Sequence, residues 1–273
     1  MTDQYCVIGN PVAQSRSPEI HAAFARQAGQ AISYERCLAP LDGFADTVRR
    51  LVAAGYKGAN VTVPFKLDAA RIATRLSACA EAAGAVNTLT FADGDIVGDN
   101  TDGAGLVTDI VANAGMALAG KRVLVLGAGG AARGVLLPIL DEDPRELVIA
   151  NRTRATADAL VAQFAGSARA GQLAVTNFDA IDKPFDVVIN ATSASLSADL
   201  PPIPALTFCQ DTLALDMMYG NKPTVFMEFA AAHGATTRDG LGMLVEQAAE
   251  AFAIWRGIRP ATQQLLEDMR RRL

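Results

Sequence analysis

The chain has 273 residues, a formal net charge of −5, 51% hydrophobic residues and 19% charged ones. That apolar content excludes a disordered chain, and the length suits one large or two modest domains whose cores need no disulfide or metal staple. Overall acidity with scattered basic residues excludes a dedicated nucleic-acid binder, and the lone basic cluster, Arg270-Arg271-Arg272, reads as a solvated helix end. In chain order, the segment Met1 to Tyr5 lacks the basic-then-apolar order of a secretory signal. Tyr5 to Gly9 is a short strand stopped by Gly9-Asn10-Pro11. Ser17 is placed to cap a helix with Pro18 in its first turn, running to Ala28 before Gly29. Ile32 to Ala39 is a second strand, and Phe44 to Ala54 has helical spacing. Gly58 to Val63 is a strand ended by Pro64. Leu67 to Leu76 and Ala78 to Ala83 read as helices. Ala85 to Phe91 and Asp95 to Asp99 form a hairpin through Asp93-Gly94.

The second part begins with the aliphatic run Lys121 to Leu126, followed at once by Gly127-Ala128-Gly129-Gly130-Ala131-Ala132 and a helix from Ala131 to Leu140. A strand (Glu146 to Ala150), a helix (Arg154 to Phe164) and the strands Leu173 to Thr176, Asp186 to Asn190, Leu213 to Asp216 and Thr236-Thr237 follow. Strands alternating with helices predict a parallel sheet with right-handed crossovers. From Met243 a long helix reaches Arg256, breaks at Gly257 and resumes after Pro260. This terminal pair has no strand of its own, so it is expected to pack back on the first domain. The four cysteines, Cys6, Cys37, Cys79 and Cys209, form no CxxC pair. With only His21 and His233 as histidines, no metal site is expected. No uncharged apolar run reaches the ~18 residues of a membrane span. A soluble, cytoplasmic protein with reduced thiols is expected, with no membrane and no nucleic acid among its partners.

Gly127-x-Gly129-x-x-Ala132 fits the dinucleotide fingerprint. The first glycine permits the tight turn, the second lets backbone approach the pyrophosphate, and the small third residue lets helix and strand close. The pyrophosphate would sit at the positive end of the following helix. A carboxylate ~20 residues on would bind the ribose hydroxyls of NAD. Asn151-Arg152-Thr153-Arg154 stands there instead. An arginine pairs with a 2′-phosphate that an acid would repel, so the segment favours NADP over ordinary surface charge.

A carbonyl reduction also needs a proton donor beside the hydride acceptor. Lys66, after Asn60-Val61-Thr62-Val63-Pro64-Phe65, is either that acid/base or a surface lysine. Asp102, in Gly98-Asp99-Asn100-Thr101-Asp102-Gly103, is either its partner or a helix cap. Ser15 and Ser17 suit a carboxylate ligand or local capping. Asn87 suits a ligand hydroxyl or a backbone partner, Tyr219 a ligand or the core, and Gln247 a ligand or solvent.

Taken together and in order, these motifs resemble shikimate dehydrogenase. They include Ser15-x-Ser17-Pro18, Asn60-Val61-Thr62-Val63-Pro64-x-Lys66, Ala85-Val86-Asn87-Thr88, Asn100-Thr101-Asp102-Gly103, Gly127-Ala128-Gly129-Gly130, Asn151-Arg152-Thr153, Asn190-Ala191-Thr192-Ser193, Asp216-Met217-x-Tyr219 and Gly240-x-Gly242-Met243-Leu244-Val245-x-Gln247. The resemblance implies an α/β fold of two domains: a discontinuous substrate domain (1–102 with 240–273) and a Rossmann-like doubly wound parallel sheet (103–239), with the active site in the cleft between them. It implies NADPH-dependent, reversible reduction of 3-dehydroshikimate to shikimate in aromatic amino-acid biosynthesis, by a monomer or homodimer. Lys66 would be the acid/base, oriented by Asp102. Ser15, Ser17 and Tyr219 would bind the substrate carboxylate, and Thr62, Asn87, Asp102 and Gln247 its ring hydroxyls. Gly127, Ala128, Gly129, Gly130, Ala131, Asn151, Arg152, Thr153, Met217 and Gly240 would contact NADP, with Arg154 beside them. Two positions depart from the pattern. Thr156 replaces the second basic residue, weakening the expected NADP preference, and Ser195 replaces a glycine after the Asn-Ala-Thr-Ser motif. The competing readings are an NAD-using quinate/shikimate dehydrogenase and a non-catalytic NADP-binding or redox-sensing module. The absent acid argues against the first, and the joint presence of Lys66 and Asp102 against the second.

Overall fold

Two six-stranded sheets organise the protein in the computed structural model, which describes residues 2–164, 169–192, 194 and 199–273. Ser193 and Ser195, singled out in the sequence, lie outside the described residues. One compact unit comprises Met1–Gly105 with Leu244–Met269, the other Leu106–Met243 with Arg270–Leu273.

The first unit contains β1 (Asp3–Gly9), α1 (Ser17–Ala28), β2 (Ile32–Leu38), α2 (Phe44–Ala53), β3 (Gly58–Val61), α3 (Lys66–Ile72), β4 (Arg75–Leu76), α4 (Ala78–Ala83), β5 (Thr88–Ala92) and β6 (Asp95–Asp99). Its sheet has the order β2-β1-β3-β5-β6-β4 and is mixed. β1 lies parallel to β2 and β3, β5 is antiparallel to β3 and β6, and β4 runs parallel to β6. The β5–β6 hairpin turns on Asp93 and Gly94, both at positive φ (53° and 84°), the geometry that Asp-Gly favours in a two-residue loop.

Three local expectations need correction. Arg16, not Ser17, occupies the cap position of α1; Ser17 is its first helical residue and its side chain caps nothing. The strand expected to reach Val63 stops at Val61. The helix expected to reach Leu76 stops at Ile72, because Ala73 turns extended and the Thr74 amide bonds the Ile96 carbonyl at 2.8 Å. Arg75-Leu76 is thereby laid alongside β6.

α5 (Asp102–Thr108) continues into a π-helical turn, Asp109–Asn113. The second sheet then follows with β7 (Arg122–Leu126), α6 (Gly130–Asp141), β8 (Glu146–Ala150), α7 (Arg154–Ala162), β9 (Leu173–Thr176), β10 (Val187–Asn190), β11 (Leu213–Asp216), α8 (Val225–Ala232) and β12 (Thr236–Arg238). It is parallel throughout, in the order β12-β11-β10-β7-β8-β9. The order reverses between β7 and β10, and ligands of such sheets bind outside the carboxyl ends of the strands at that switch. β10, Val-Val-Ile-Asn, is buried along its whole length, as a central parallel strand covered on both faces must be.

α9 (Leu241–Arg256) and α10 (Gln263–Arg270) complete the chain. Within the first unit, α9 lies close on the sheet. A side chain at Gly58 would collide with Trp255, whose indole N–H donates to the Leu89 carbonyl at 3.1 Å. Phe252 is fully buried beside Phe24, and each ring buried this way is worth roughly 1.5–3 kcal/mol. Arg270 is no simple solvated helix end: it forks the carboxylate of buried Asp239 at 2.5 and 2.6 Å.

Candidate active site

Lys66 opens α3 immediately after the buried Phe65, and its carbonyl accepts the Val86 amide at 2.9 Å, fixing the helix start beside the β5 approach. From there the Lys66 ammonium reaches the Asp102 carboxylate, Nζ to Oδ2, at 2.5 Å. Asp102 is the first residue of α5, and its side chain is 9% exposed against 22% for Lys66. Its amide is held by Asn100 Oδ1 at 3.2 Å, and Asn100 in turn donates to the Ala85 carbonyl. The pair is therefore set by the chain on both sides. A buried ion pair survives desolvation only with such supporting hydrogen bonds.

Asn87 supplies the main one. Its Nδ2 donates to Asp102 Oδ1 at 2.8 Å and to Thr101 Oγ1 at 3.0 Å. Its Oδ1 accepts from the Thr101 amide and from Thr88 Oγ1, both at 2.9 Å. Gln247, on α9, brings its Oε1 to 3.4 Å from Asn87 Nδ2. Gly105 makes this approach possible, since a Cβ there would stand 2.6 Å from the Gln247 amide nitrogen. The structure thus brings Lys66, Asp102, Asn87 and Gln247 together. It adds Asn60, Thr88 and Thr101, all buried, which the sequence reading left out of the site. Asn60 and Thr101 stand inside the motifs quoted for Lys66 and Asp102, so the signal was present without a partner to interpret it.

Ser15 and Ser17 form a second polar group in the same unit. Ser15 Oγ donates to Ser17 Oγ at 3.2 Å and accepts the Ser17 amide at 3.3 Å. Arg36 clamps the Ser15 carbonyl at 2.6 and 3.0 Å, holding the loop that carries both hydroxyls. Thr62 follows β3, with its amide on the Ile8 carbonyl at 2.9 Å. Its methyl group fills the space that a side chain at Gly9 would occupy. Tyr219 belongs to the second unit and is half-buried.

The nucleotide candidates lie at the carboxyl ends of β7, β8, β10 and β11. Gly127, at φ 102°, turns the chain out of β7, with buried Ala128 next and Gly129 in the cap position of α6. Side chains at Gly129 or Gly130 would project into open space in front of the helix, and Ala131 continues it. A pyrophosphate fits such a cradle, where helix-start amides and the helix dipole converge. Asn190 Nδ2 donates to Asp216 Oδ2 at 3.1 Å, while Thr192 Oγ1 donates to Asn190 Oδ1 at 2.7 Å. Thr224 donates to the same Asp216 oxygen at 2.6 Å. This buried network ties the β10 and β11 loops together. Met217 follows directly, its amide on the Asn190 carbonyl at 3.0 Å. Gly240 is a glycine for packing: a Cβ there would collide with the Met217 carbonyl oxygen.

Beyond β8 opens a cavity of about 480 Å³ lined by Asn151, Arg152 and Arg154 on one side and by Asn177, Asp179 and Pro202 among others. Asn151 Nδ2 donates to the Thr153 carbonyl at 2.9 Å, shaping the loop, and Thr153 occupies the cap position of α7. Arg152 is exposed, while Arg154 leans along the helix to Asp158 at 3.5 Å. The two arginines suit a phosphate group. Asp179, which sequence order keeps 27 residues from Arg152, brings a carboxylate to the same cavity.

Comparison with known proteins follows the same division. Residues 7–89 match the model of the shikimate dehydrogenase substrate binding domain, residues 109–198 that of shikimate / quinate 5-dehydrogenase, and residues 240–271 that of the shikimate 5'-dehydrogenase C-terminal domain. A shikimate dehydrogenase (NADP(+)) of Janthinobacterium sp. (strain Marseille) is 60% identical over 272 residues, covering 100% of this chain and 98% of the relative. Among solved structures, an Ael1 enzyme from Pseudomonas putida is 47% identical with a TM-score of 0.93, covering 98% of each chain. Shikimate 5-dehydrogenase from Thermus thermophilus, solved in complex with NADP(H) and shikimate, is 33% identical with a TM-score of 0.87 and 100% coverage of both chains. With fold, motif order and full-length identity all in agreement, the chain belongs to the shikimate dehydrogenase family.

Proposed function

We propose that the protein interconverts 3-dehydroshikimate and shikimate with NADPH and NADP⁺, Lys66 serving as acid/base. The observation that carries the reading is the 2.5 Å Lys66–Asp102 pair inside a hydrogen-bonded polar cluster. Bound NADPH supplies the hydride to the substrate carbonyl carbon. As that carbon gains hydride, the C=O π pair moves to oxygen, and Lys66 Nζ gives that oxygen a proton. In the reverse direction the same nitrogen takes the proton from the hydroxyl. Asp102 holds the ammonium in place, and Asn87 holds Asp102.

The ring hydroxyls fall to Thr62, Asn87, Asp102 and Gln247, and the carboxylate to Ser15, Ser17 and Tyr219. These are mostly neutral donors and acceptors. A substrate lacking a matching hydroxyl would leave one of them buried and unpaired, which is how such a site discriminates. Gly127, Ala128, Gly129, Gly130, Ala131, Met217 and Gly240 would face the dinucleotide. Asn151, Arg152, Thr153 and Arg154 would face its 2′-phosphate.

The deciding experiment follows nicotinamide absorbance with shikimate or quinate crossed with NADP⁺ or NAD⁺. Turnover chiefly with shikimate and NADP⁺ is expected. Comparable turnover with quinate or NAD⁺ would replace the reading with a broad-specificity relative, and no turnover with any pair would leave a binding module.

A further inference from the structure

The cluster around Asp102 continues well beyond the groups that would touch substrate. Two backbone groups set the direction of its hydrogen bonds. The Thr101 amide can only donate, so the Asn87 carboxamide must turn its oxygen toward Thr101 and its NH₂ toward Asp102. The Asn87 carbonyl can only accept, so Asn60 must turn its NH₂ toward it, at 3.2 Å. Asn60 Oδ1 then faces the Tyr34 hydroxyl at 2.7 Å, which must donate. The other Asn60 hydrogen goes to Thr88 Oγ1 at 3.0 Å, and the single Thr88 proton points to Asn87 Oδ1 at 2.9 Å, the nearer acceptor, with Thr101 Oγ1 at 3.4 Å.

Every proton in this path points the same way. Tyr34 donates to Asn60, Asn60 to Thr88, Thr88 to Asn87, and Asn87 to the Asp102 carboxylate. Bonds donated in series polarise one another, so the last one, on the carboxylate, is strengthened by those behind it. The path is well supported. Thr88 is fully buried, and the Tyr34 ring stacks on buried His21 with centroids 4.2 Å apart and planes 6° from parallel. The phenol is raised above its ordinary range by burial, so it keeps its proton for donation.

We propose that Tyr34 and Thr88 are positioning residues for the reaction, the head and the middle of a one-directional hydrogen-bond chain that orients Asn87 and, through it, Asp102. The proposal rests on the dehydrogenase reading above. It is tested with Thr88→Val, Thr88→Ser, Tyr34→Phe and the Tyr34→Phe/Thr88→Val double variant, measuring kcat, KM for shikimate, KM for NADP⁺ and shikimate affinity by calorimetry. Thr88→Val keeps the shape and cuts the chain, so kcat is expected to fall about tenfold, the equivalent of one lost hydrogen bond. Tyr34→Phe keeps the ring stack, with an expected loss of about threefold, while KM for NADP⁺ stays unchanged in both. Thr88→Ser should restore most of the rate, which a purely volumetric role of Thr88 would not predict. The double variant should be little slower than Thr88→Val, because the path from Tyr34 to the Asn87 side chain runs through the link already cut, leaving only the Asn60 bond to the Asn87 backbone carbonyl. Wild-type kcat in Thr88→Val, no rescue by serine, or multiplied losses in the double variant would overturn the proposal. Should Thr88→Val fail to fold, wild-type turnover in Tyr34→Phe would overturn it alone. A wild-type protein with neither turnover nor shikimate affinity would instead overturn the dehydrogenase reading, and the chain's role with it.

Discussion

Lys66 is held among polar groups whose bonds are already made, whereas Arg152 stands exposed at a strand end with space in front of it. The two regions use polar residues in opposite ways. Around Asp102 the hydrogen bonds are internal, buried and fixed in direction by the backbone. Charge that must be placed to a fraction of an ångström is placed there by the fold itself. At the β8 end the charges are solvated: Arg154 pairs loosely with Asp158 along its own helix, and Arg152 stands open to an incoming anion. Ordering long side chains costs entropy, so that edge is built for affinity and selectivity more than for geometry. Deletions in the first region should therefore damage the chemical step, and those in the second should change which nucleotide binds.

The largest effect expected is from Lys66→Ala. Loss of a positioned acid/base typically costs 10²–10⁴-fold, so kcat should fall by about that factor. NADP⁺ affinity, measured by calorimetry, should stay within about twofold, since Lys66 is no part of the nucleotide region. A variant turning over at near-normal rate would erase the distinction between the regions. The next effect is on stability. Burial pushes His21 down to about 3 from its usual 6.5. The unfolded chain therefore takes up a proton between about pH 6.5 and 3 that the folded chain refuses, and stability is lost as pH falls through that window. The full contribution is on the order of 5 kcal/mol. Urea unfolding at pH 7, 5.5 and 4 should show a shallower loss for His21→Phe than for wild type. Equal slopes would mean that His21 is protonated in the fold and that the aromatic support of Tyr34 carries charge.

Much of this was readable from the sequence because local rules governed it. The glycine fingerprint between β7 and α6 and the Asp-Gly hairpin follow from conformations that few residues adopt. What escaped was decided by partners that the segment's own pattern does not announce, some of them near in sequence and most of them far. Ser17 looked like a cap, yet its hydroxyl meets Ser15. Arg75-Leu76 looked like the end of a helix, yet β6 offered a strand partner. Helix α8 was missed: it is short, and its cap, Thr224, which accepts the Met227 amide at 3.3 Å, is held in place by a further bond to Asp216. Lys66 and Asp102 were each ambiguous singly and became a pair only when α3 and α5 were placed. Tyr34 carried no motif at all, since its meaning depends on Asn60 two strands away.

At the nucleotide edge, Arg152→Ala should weaken NADP⁺ binding about tenfold, the equivalent of one charge-assisted hydrogen bond, and leave NAD⁺ within about twofold. Competitive titration with adenosine 2′,5′-bisphosphate and ADP isolates the phosphate that matters, and equal losses for the two probes would remove Arg152 from its recognition.

Asp179 gives the smallest and most diagnostic effect. Its carboxylate shares the cavity with both arginines, so an incoming 2′-phosphate meets one like charge along with two opposite ones. Across about 8 Å of water-like dielectric, that repulsion is on the order of 0.5 kcal/mol. Asp179→Asn should therefore tighten adenosine 2′,5′-bisphosphate about twofold at low salt, leave ADP unchanged, and lose the gain at about 0.5 M salt as screening shortens the range of the field. If Asp179 instead accepts a hydrogen bond from the adenine amino group, the variant should weaken both probes alike, and salt should not matter. The sign of the change thus separates an edge that works by field from one that works by fixed bonds, as the Asp102 cluster does. A weakened, salt-insensitive result would show both regions relying on the same device.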